Sequence, residues 1–297
     1  MGKKVITLVG ITGKQGASVA DVFLQEAGWH VRGVTRDPKK PKSQAWAAKG
    51  VELVKADLND AGSLEAAFAG STVVFGVTDF WGIVGDSEVQ ARAQASSLPV
   101  NELAYQLEVQ QGRNIVDAAF ATLDTLDRFV LSTLSPTKKR SKGKYTHNFH
   151  FDAKWEAVEY LKATYPALGK KTSYLQVALY LSNWQTSPLA RPIKQPDNTF
   201  LLSLPGIADA PVAQVDARRD TGLFVKALTQ VEPDRKVVED AVPGGVGEEL
   251  ADMFEYIGDF GYHGGDPNVI FPANLGVEIP VTTIEEYIKK EDWSEVL

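Results

Sequence analysis

The chain opens by alternating short apolar runs with amphipathic stretches. Val5-Ile-Thr-Leu-Val9 is almost unbroken apolar sequence, the pattern of a parallel strand covered on both faces. Gly10, Gly13 and Gly16 follow it, and Ala17 to Leu24 has helical apolar spacing that stops before Gly28. A second strand is predicted at Trp29–Thr35 and a third at Val51–Lys55. Asn59 or Asp60 then caps a helix running through Leu64 and Phe68. Thr72–Thr78 reads as the fourth strand, and the polar stretch 82–100 as a loop- or helix-like insertion ended by Pro99. Leu103, Leu107, Ile115 and Ala119 recur at helical spacing, which predicts a long helix over Asn101–Ala121 packed on the sheet. Arg128–Thr133 is the fifth strand. A helix opens at His147 and continues through Trp155, Val158 and Leu161, and Thr172–Tyr180 forms the sixth strand.

Beyond this point the strand–helix rhythm weakens. Pro188, Pro192, Pro196, Pro205 and Pro211 break the chain into loops and short strands. Val215-Asp216 precedes a helix through Leu223 and Leu228, and Gly244, Gly245 and Gly247 precede another over Glu248–Tyr256. The pattern predicts an α/β protein with a Rossmann-type doubly wound parallel sheet over residues 1–180, with strand returns near 213–240. A smaller α/β lobe, mainly residues 181–297, is expected over the carboxyl edge of the sheet, where ligands bind in such folds.

The glycine turn, Gly10-Ile-Thr12-Gly13-Lys14-Gln15-Gly16, brings in chemistry. A dinucleotide pyrophosphate must approach backbone N–H groups at a helix N-terminus, and side chains in the turn would hold it away. At the end of the second strand an NAD site usually offers a carboxylate to the ribose. Here Thr35 is followed by Arg36, with Lys39, Lys40 and Lys42 close behind. A guanidinium can pair in a fork with a 2′-phosphate, so NADP(H) is the expected cofactor. Asp57 and Leu58 would lie near the adenine, while Thr78, Phe80 and Trp81 follow the fourth strand, where ribose and nicotinamide belong.

Composition narrows the alternatives. A formal charge of −7 argues against broad nucleic-acid affinity. The absence of cysteine excludes disulfides, thiolate catalysis and cysteine-ligated metals. No apolar stretch approaches membrane-spanning length, so a cytosolic or nuclear protein is expected. The basic run Lys138-Lys-Arg-Ser-Lys-Gly-Lys144 reads as a solvated loop before it reads as a nuclear address or anion patch. His147 and His150 are three apart, but without a third ligand no metal site is expected.

The glycine turn, Thr35-Arg36-Asp37-Pro38, Gln111-Gly-Arg-Asn-Ile-Val-Asp117, His150-Phe-Asp-Ala-Lys154 and Tyr180-Leu-Ser-Asn183-Trp184 together resemble the NmrA-like family. These are atypical members of the short-chain dehydrogenase/reductase superfamily. The resemblance spans most of residues 3–290 and implies a Rossmann domain, a small lobe and NAD(P) binding. It also implies that Lys154 matches the superfamily's active-site lysine, that His150 stands where a tyrosine usually does, and that Ser132 or Thr133 matches its serine. Tyr145 is nearby at the wrong spacing. Three readings follow from it. The first is a nucleotide sensor or transcriptional co-regulator, with a protein partner such as a transcription factor, in which Lys154 holds the nicotinamide ribose. The second is an NADPH-dependent reductase resembling isoflavone reductase-like enzymes, with Lys154 as acid or base on a small carbonyl or enone. Its pocket would be lined by Phe80, Trp81, Phe151, Tyr180, Asn183 and Trp184. The third is a scaffold with a vestigial site.

Overall fold

The computed structural model describes residues 2–187, 190–201, 212–233, 236–238, 247–294 and 296. Pro188, Pro205, Pro211, Gly244 and Gly245 lie outside the described residues. The strands are β1 (Lys4–Leu8), β2 (Trp29–Thr35), β3 (Glu52–Lys55), β4 (Val73–Gly76), β5 (Arg128–Thr133), β6 (Thr172–Gln176), β7 (Leu179–Tyr180), β8 (Ile193–Lys194), β9 (Phe200–Leu201), β10 (Gln214–Val215), β11 (Lys236–Val238) and β12 (Val269–Ile270). The helices are α1 (Lys14–Leu24), α2 (Pro41–Ala47), α3 (Ala61–Phe68), α4 (Phe80–Val84), α5 (Ser87–Ala95), α6 (Val100–Ala121), α7 (Thr137–Arg140), α8 (Phe149–Thr164), α9 (Pro166–Gly169), α10 (Asn183–Thr186), α11 (Thr221–Leu228), α12 (Gly247–Phe260) and α13 (Ile284–Lys290).

The main sheet runs β12-β11-β6-β5-β4-β1-β2-β3, and its pairings are parallel. Chain order reverses about β1, with β2 on one side and β4 on the other. This is the Rossmann-like α/β fold expected from the strand–helix rhythm. Successive residues of β4 and β5 enter opposite cores. Val73, Phe75 and Val130 pack with Val19, Phe23 and Phe224, while Val74, Phe129 and Leu131 pack with Leu64, Phe68, Ile115 and Leu161. Burial on both faces explains why these strands read as continuous apolar runs.

One strand departs from expectation. The sixth strand stops at Gln176, opposite Thr133, because β5 offers no further ladder; Leu179–Tyr180 pairs instead with Gln214–Val215 in a separate two-stranded sheet. The 82–100 insertion takes the helical of its two expected forms over most of its length. Asp79 caps α4 through Gly82 N (3.0 Å), and Asp86 caps α5 through Glu88 N (2.9 Å) and Val89 N (3.3 Å).

The basic run is not simply solvated. Lys139 pairs with Glu159, Arg140 with the buried Asp266 (2.7 Å) and Lys144 with Asp259 (2.6 Å). Thr146 N and His147 N both donate to Asp252 (2.8 Å each), and the Tyr145 hydroxyl donates to Asp259 (2.7 Å). Asp252 and Asp259 are seven apart on α12, hence on one helix face. The segment therefore clasps α12 against the sheet's carboxyl end.

Candidate functional site

The glycine turn joins β1 to α1. Gly10 adopts a φ of +71°, which side chains disfavour, and Gly13 N closes the turn on the Gly10 carbonyl (2.8 Å). A Cβ on Gly16 would lie 2.3 Å from that same carbonyl oxygen, so only glycine lets α1 start this close to β1. No side chain caps α1 and no acid occupies its first turn. Lys14 and Gln15 reach from α1 to the segment after β6. Lys14 Nζ donates to Ser182 Oγ (2.5 Å), and Gln15 Nε2 donates to the Tyr180 hydroxyl (2.8 Å). Burial pulls the Lys14 ammonium below its ordinary pKa and pushes the Tyr180 phenol up. Thr12 is half-buried in the turn.

On the β2 side, Arg36 is exposed, Thr35 is half-buried, and Asp37 Oδ1 accepts from Lys39 N (2.9 Å). Asp57 Oδ1 accepts from Asn59 N and Nδ2 (2.9 Å each), so this carboxylate shapes its own turn. The Leu58 carbonyl accepts from Asn114 Nδ2 (2.7 Å).

On the β4 side the arrangement is different in kind. Lys154 Nζ donates to the Thr78 carbonyl (3.1 Å) and Thr78 Oγ1 (3.0 Å), and forms an ion pair with Glu108 Oε1. Those partners take up the three donors an ammonium has. Glu108 is fully buried, and its Oε2 has no hydrogen-bond partner among the described residues. Glu108 was not among the residues expected here. The signal is nonetheless in α6: Ala104, Glu108, Gly112, Ile115 and Ala119 fall three or four apart and all are buried, with Glu108 the one charge in that stripe.

Around the lysine, His150 is buried against the rings of Trp81 (5.1 Å), Phe80 (5.8 Å) and Phe151 (4.9 Å). Trp81 is 49% exposed, but Phe80 and Phe151 are in the core, Phe151 packing on Tyr262 (5.3 Å) and Tyr256 (6.3 Å). Phe151 thus supports the site from below rather than lining an open pocket. Ser132 is buried at the end of β5, and Thr133 Oγ1 donates to the Lys154 carbonyl (3.2 Å), tying α8 to that strand. Trp184 Nε1 donates to Gln214 Oε1 (3.2 Å), and Asn183 opens α10, with both residues half-buried. His147 is drawn off to Asp252 (3.3 Å), away from the His150 cluster.

Asp152, in the same turn of α8, accepts from Lys138 N (3.2 Å), and burial pushes its carboxyl pKa up to about 7. The folded protein therefore binds a proton there that the unfolded chain, with an ordinary carboxylate near ~4, has released. Stability attributable to this group should fall as pH rises from about 4 to about 7. Asp152→Asn should flatten that part of a urea-denaturation profile; an unaltered slope would show that the carboxyl titrates normally.

A Rossmann-type sheet with a glycine turn after β1 and a lysine held at the end of β4 describes a broad class. Within it, the chain belongs to the NmrA-like family, whose pattern matches residues 2–235. The chain is 46% identical over 72 residues to the NmrA-like family domain-containing oxidoreductase hkm9 of Aspergillus hancockii, covering 24% of this chain and 22% of that one. It is 30% identical over 164 residues to oxidoreductase ptmS of Penicillium ochrochloron, covering 54% and 43%. The chain thus spans under half the length of these curated relatives. Among solved structures it resembles NmrA, a negative transcriptional regulator. With the NAD complex the TM-score is 0.63 at 21% identity, covering 97% of this chain and 80% of that one. With the NADP complex the TM-score is 0.66 at 18% identity, covering 99% and 100%. It also resembles pinoresinol-lariciresinol and phenylcoumaran benzylic ether reductases, with a TM-score of 0.64 at 14% identity, covering 98% and 99%. Among the described residues no helix is long and apolar enough to cross a membrane.

Proposed function

We propose that this protein is an NADP(H)-binding sensor or transcriptional co-regulator whose nucleotide occupancy alters its affinity for a protein partner. The residues present suit the cofactor. The glycine turn leaves the first N–H groups of α1 without side-chain caps, as a pyrophosphate requires, and NmrA has been crystallised with both NAD and NADP. Arg36 is exposed at the end of β2, where a 2′-phosphate would be met by a guanidinium.

The observation that carries the non-catalytic reading is the state of Lys154. Its three donors are engaged by Thr78 and Glu108, and no tyrosine hydroxyl bonds it among the described residues. Carbonyl reduction leaves an alkoxide that needs a positioned proton donor. Tyr145 donates to Asp259 and Tyr160 donates to Asp117, so the two phenols nearest Lys154 in sequence are engaged elsewhere. A sensor also needs a physical route outward. Lys14 and Gln15 touch the β7–α10 segment, and Gln185 on α10 accepts from the Tyr287 hydroxyl (2.9 Å) of α13. A nucleotide that binds one arrangement of this segment better than another shifts the population by that difference in affinity.

The alternative, a reductase acting on a small carbonyl or enone, is favoured by the relatives described as oxidoreductases. NADPH absorbance followed with a panel of aldehydes, ketones and enones separates the two. The sensor reading expects no saturable oxidation; turnover that disappears in Lys154→Ala would replace it with the reductase. For the cofactor, calorimetry should give tighter binding of NADPH than NADH, by about tenfold, with the difference lost in Arg36→Ala. Equal affinities in the unsubstituted protein would remove Arg36 from the site.

A further inference from the structure

Glu108 sits where a buried carboxylate is costly unless it does something for the site. It is fully buried on α6 and pairs with the Lys154 ammonium. Its second oxygen has no hydrogen-bond partner among the described residues, so local donors do not spread its charge. Lys154 Nζ is fixed at Thr78, just beyond the end of β4, on the opposite side of β1 from Arg36. In a dinucleotide lying across the switch point about β1, the adenosine half falls toward β2 and the nicotinamide half toward β4.

The two redox forms of the cofactor share every phosphate and ribose. They differ in the ring, which carries a positive charge when oxidised and none when reduced. A lone ammonium at the end of β4 would repel the oxidised ring and leave the reduced one nearly indifferent. A buried carboxylate beside it cancels that repulsion, in surroundings where a charge is felt more strongly than in water. We infer that Glu108 is a specificity-determining residue that sets the relative affinity of the site for oxidised and reduced nicotinamide. The inference rests on the nucleotide site proposed above and adds what that site discriminates. It also assigns a reason for a sensor to keep a lysine saturated with protein partners: the pair presents little net charge to the ring.

The test is calorimetric titration of the full chain with NADP⁺, NADPH and adenosine 2′,5′-bisphosphate, which lacks the nicotinamide half. Glu108→Gln keeps the shape and a hydrogen-bond acceptor for Lys154 but removes the charge. It should weaken NADP⁺ relative to NADPH by about tenfold, with the bisphosphate unchanged within about twofold. An unchanged ratio, or an equal loss for both dinucleotides while the bisphosphate still binds, overturns the inference without touching the nucleotide site. Failure of all three to bind the unsubstituted protein overturns the site and the inference together. Should Glu108→Gln not fold, Lys154→Gln decides. Leaving the carboxylate in place, it should move the ratio the other way, toward NADP⁺, and a ratio equal to that of the unsubstituted protein sinks the proposal.

Discussion

Alanine at position 16 should weaken NADPH binding roughly a hundredfold, equivalent to about 3 kcal/mol, and lower the protein's stability by a similar amount. The methyl group would stand 2.3 Å from the Gly10 carbonyl oxygen and 2.8 Å from that of Val9. Both neighbours are backbone, so no side-chain rotation relieves the overlap and α1 must move off β1. The movement spoils two things together. It displaces the N–H groups of the first helical turn, which the pyrophosphate would meet. It also disturbs the packing of Val19, Ala20 and Phe23 in the core. Calorimetry and urea denaturation measure the two losses separately. A variant that keeps both affinity and stability would mean that α1 tolerates a wider turn, and the argument for Gly16 would fail. Glycine at position 28 has nothing within 4 Å of an added Cβ, so Gly28→Ala serves as the control.

The second large effect concerns the buried ion pair. Lys154→Met should destabilise the fold by about 3–5 kcal/mol, because it leaves the Glu108 carboxylate buried without its counter-charge. Adding Glu108→Leu to that variant should recover most of the loss, since two apolar side chains of similar volume can replace a buried pair at little cost. The double-mutant cycle then gives the coupling directly. Additive effects across the cycle would show that the two charges act independently and would overturn this account of the pair. Equilibrium urea denaturation of the four proteins supplies the numbers.

Much of the fold was legible because its signals are local. The glycine turn, β2 at Trp29–Thr35 and β5 at Arg128–Thr133 read directly from apolar runs bounded by turn residues. Asp60 was one of two candidate caps, and its carboxylate indeed accepts from Ser63 N. What escaped depends on contacts between distant segments. The end of β6 is set by where β5 ends, which no pattern within 172–180 records. The basic run looks hydrophilic in isolation, and only the fold brings Asp259 and Asp266 to it from more than a hundred residues away. Glu108 lay in plain view on a long amphipathic helix. Of the positions expected on its buried face, Leu103, Ile115 and Ala119 are buried, while Leu107 is only half-buried and its neighbour Glu108 turns inward instead.

The clasp between the basic run and α12 has a consequence for how the molecule ages in solution. Its ties are ionic and partly exposed, so they weaken as the screening length shrinks to about 3 Å at molar salt, while the apolar cores do not. Brine should therefore loosen this seam while the apolar cores hold. Trypsin, which cleaves after lysine and arginine, would then find a point of entry at Lys144.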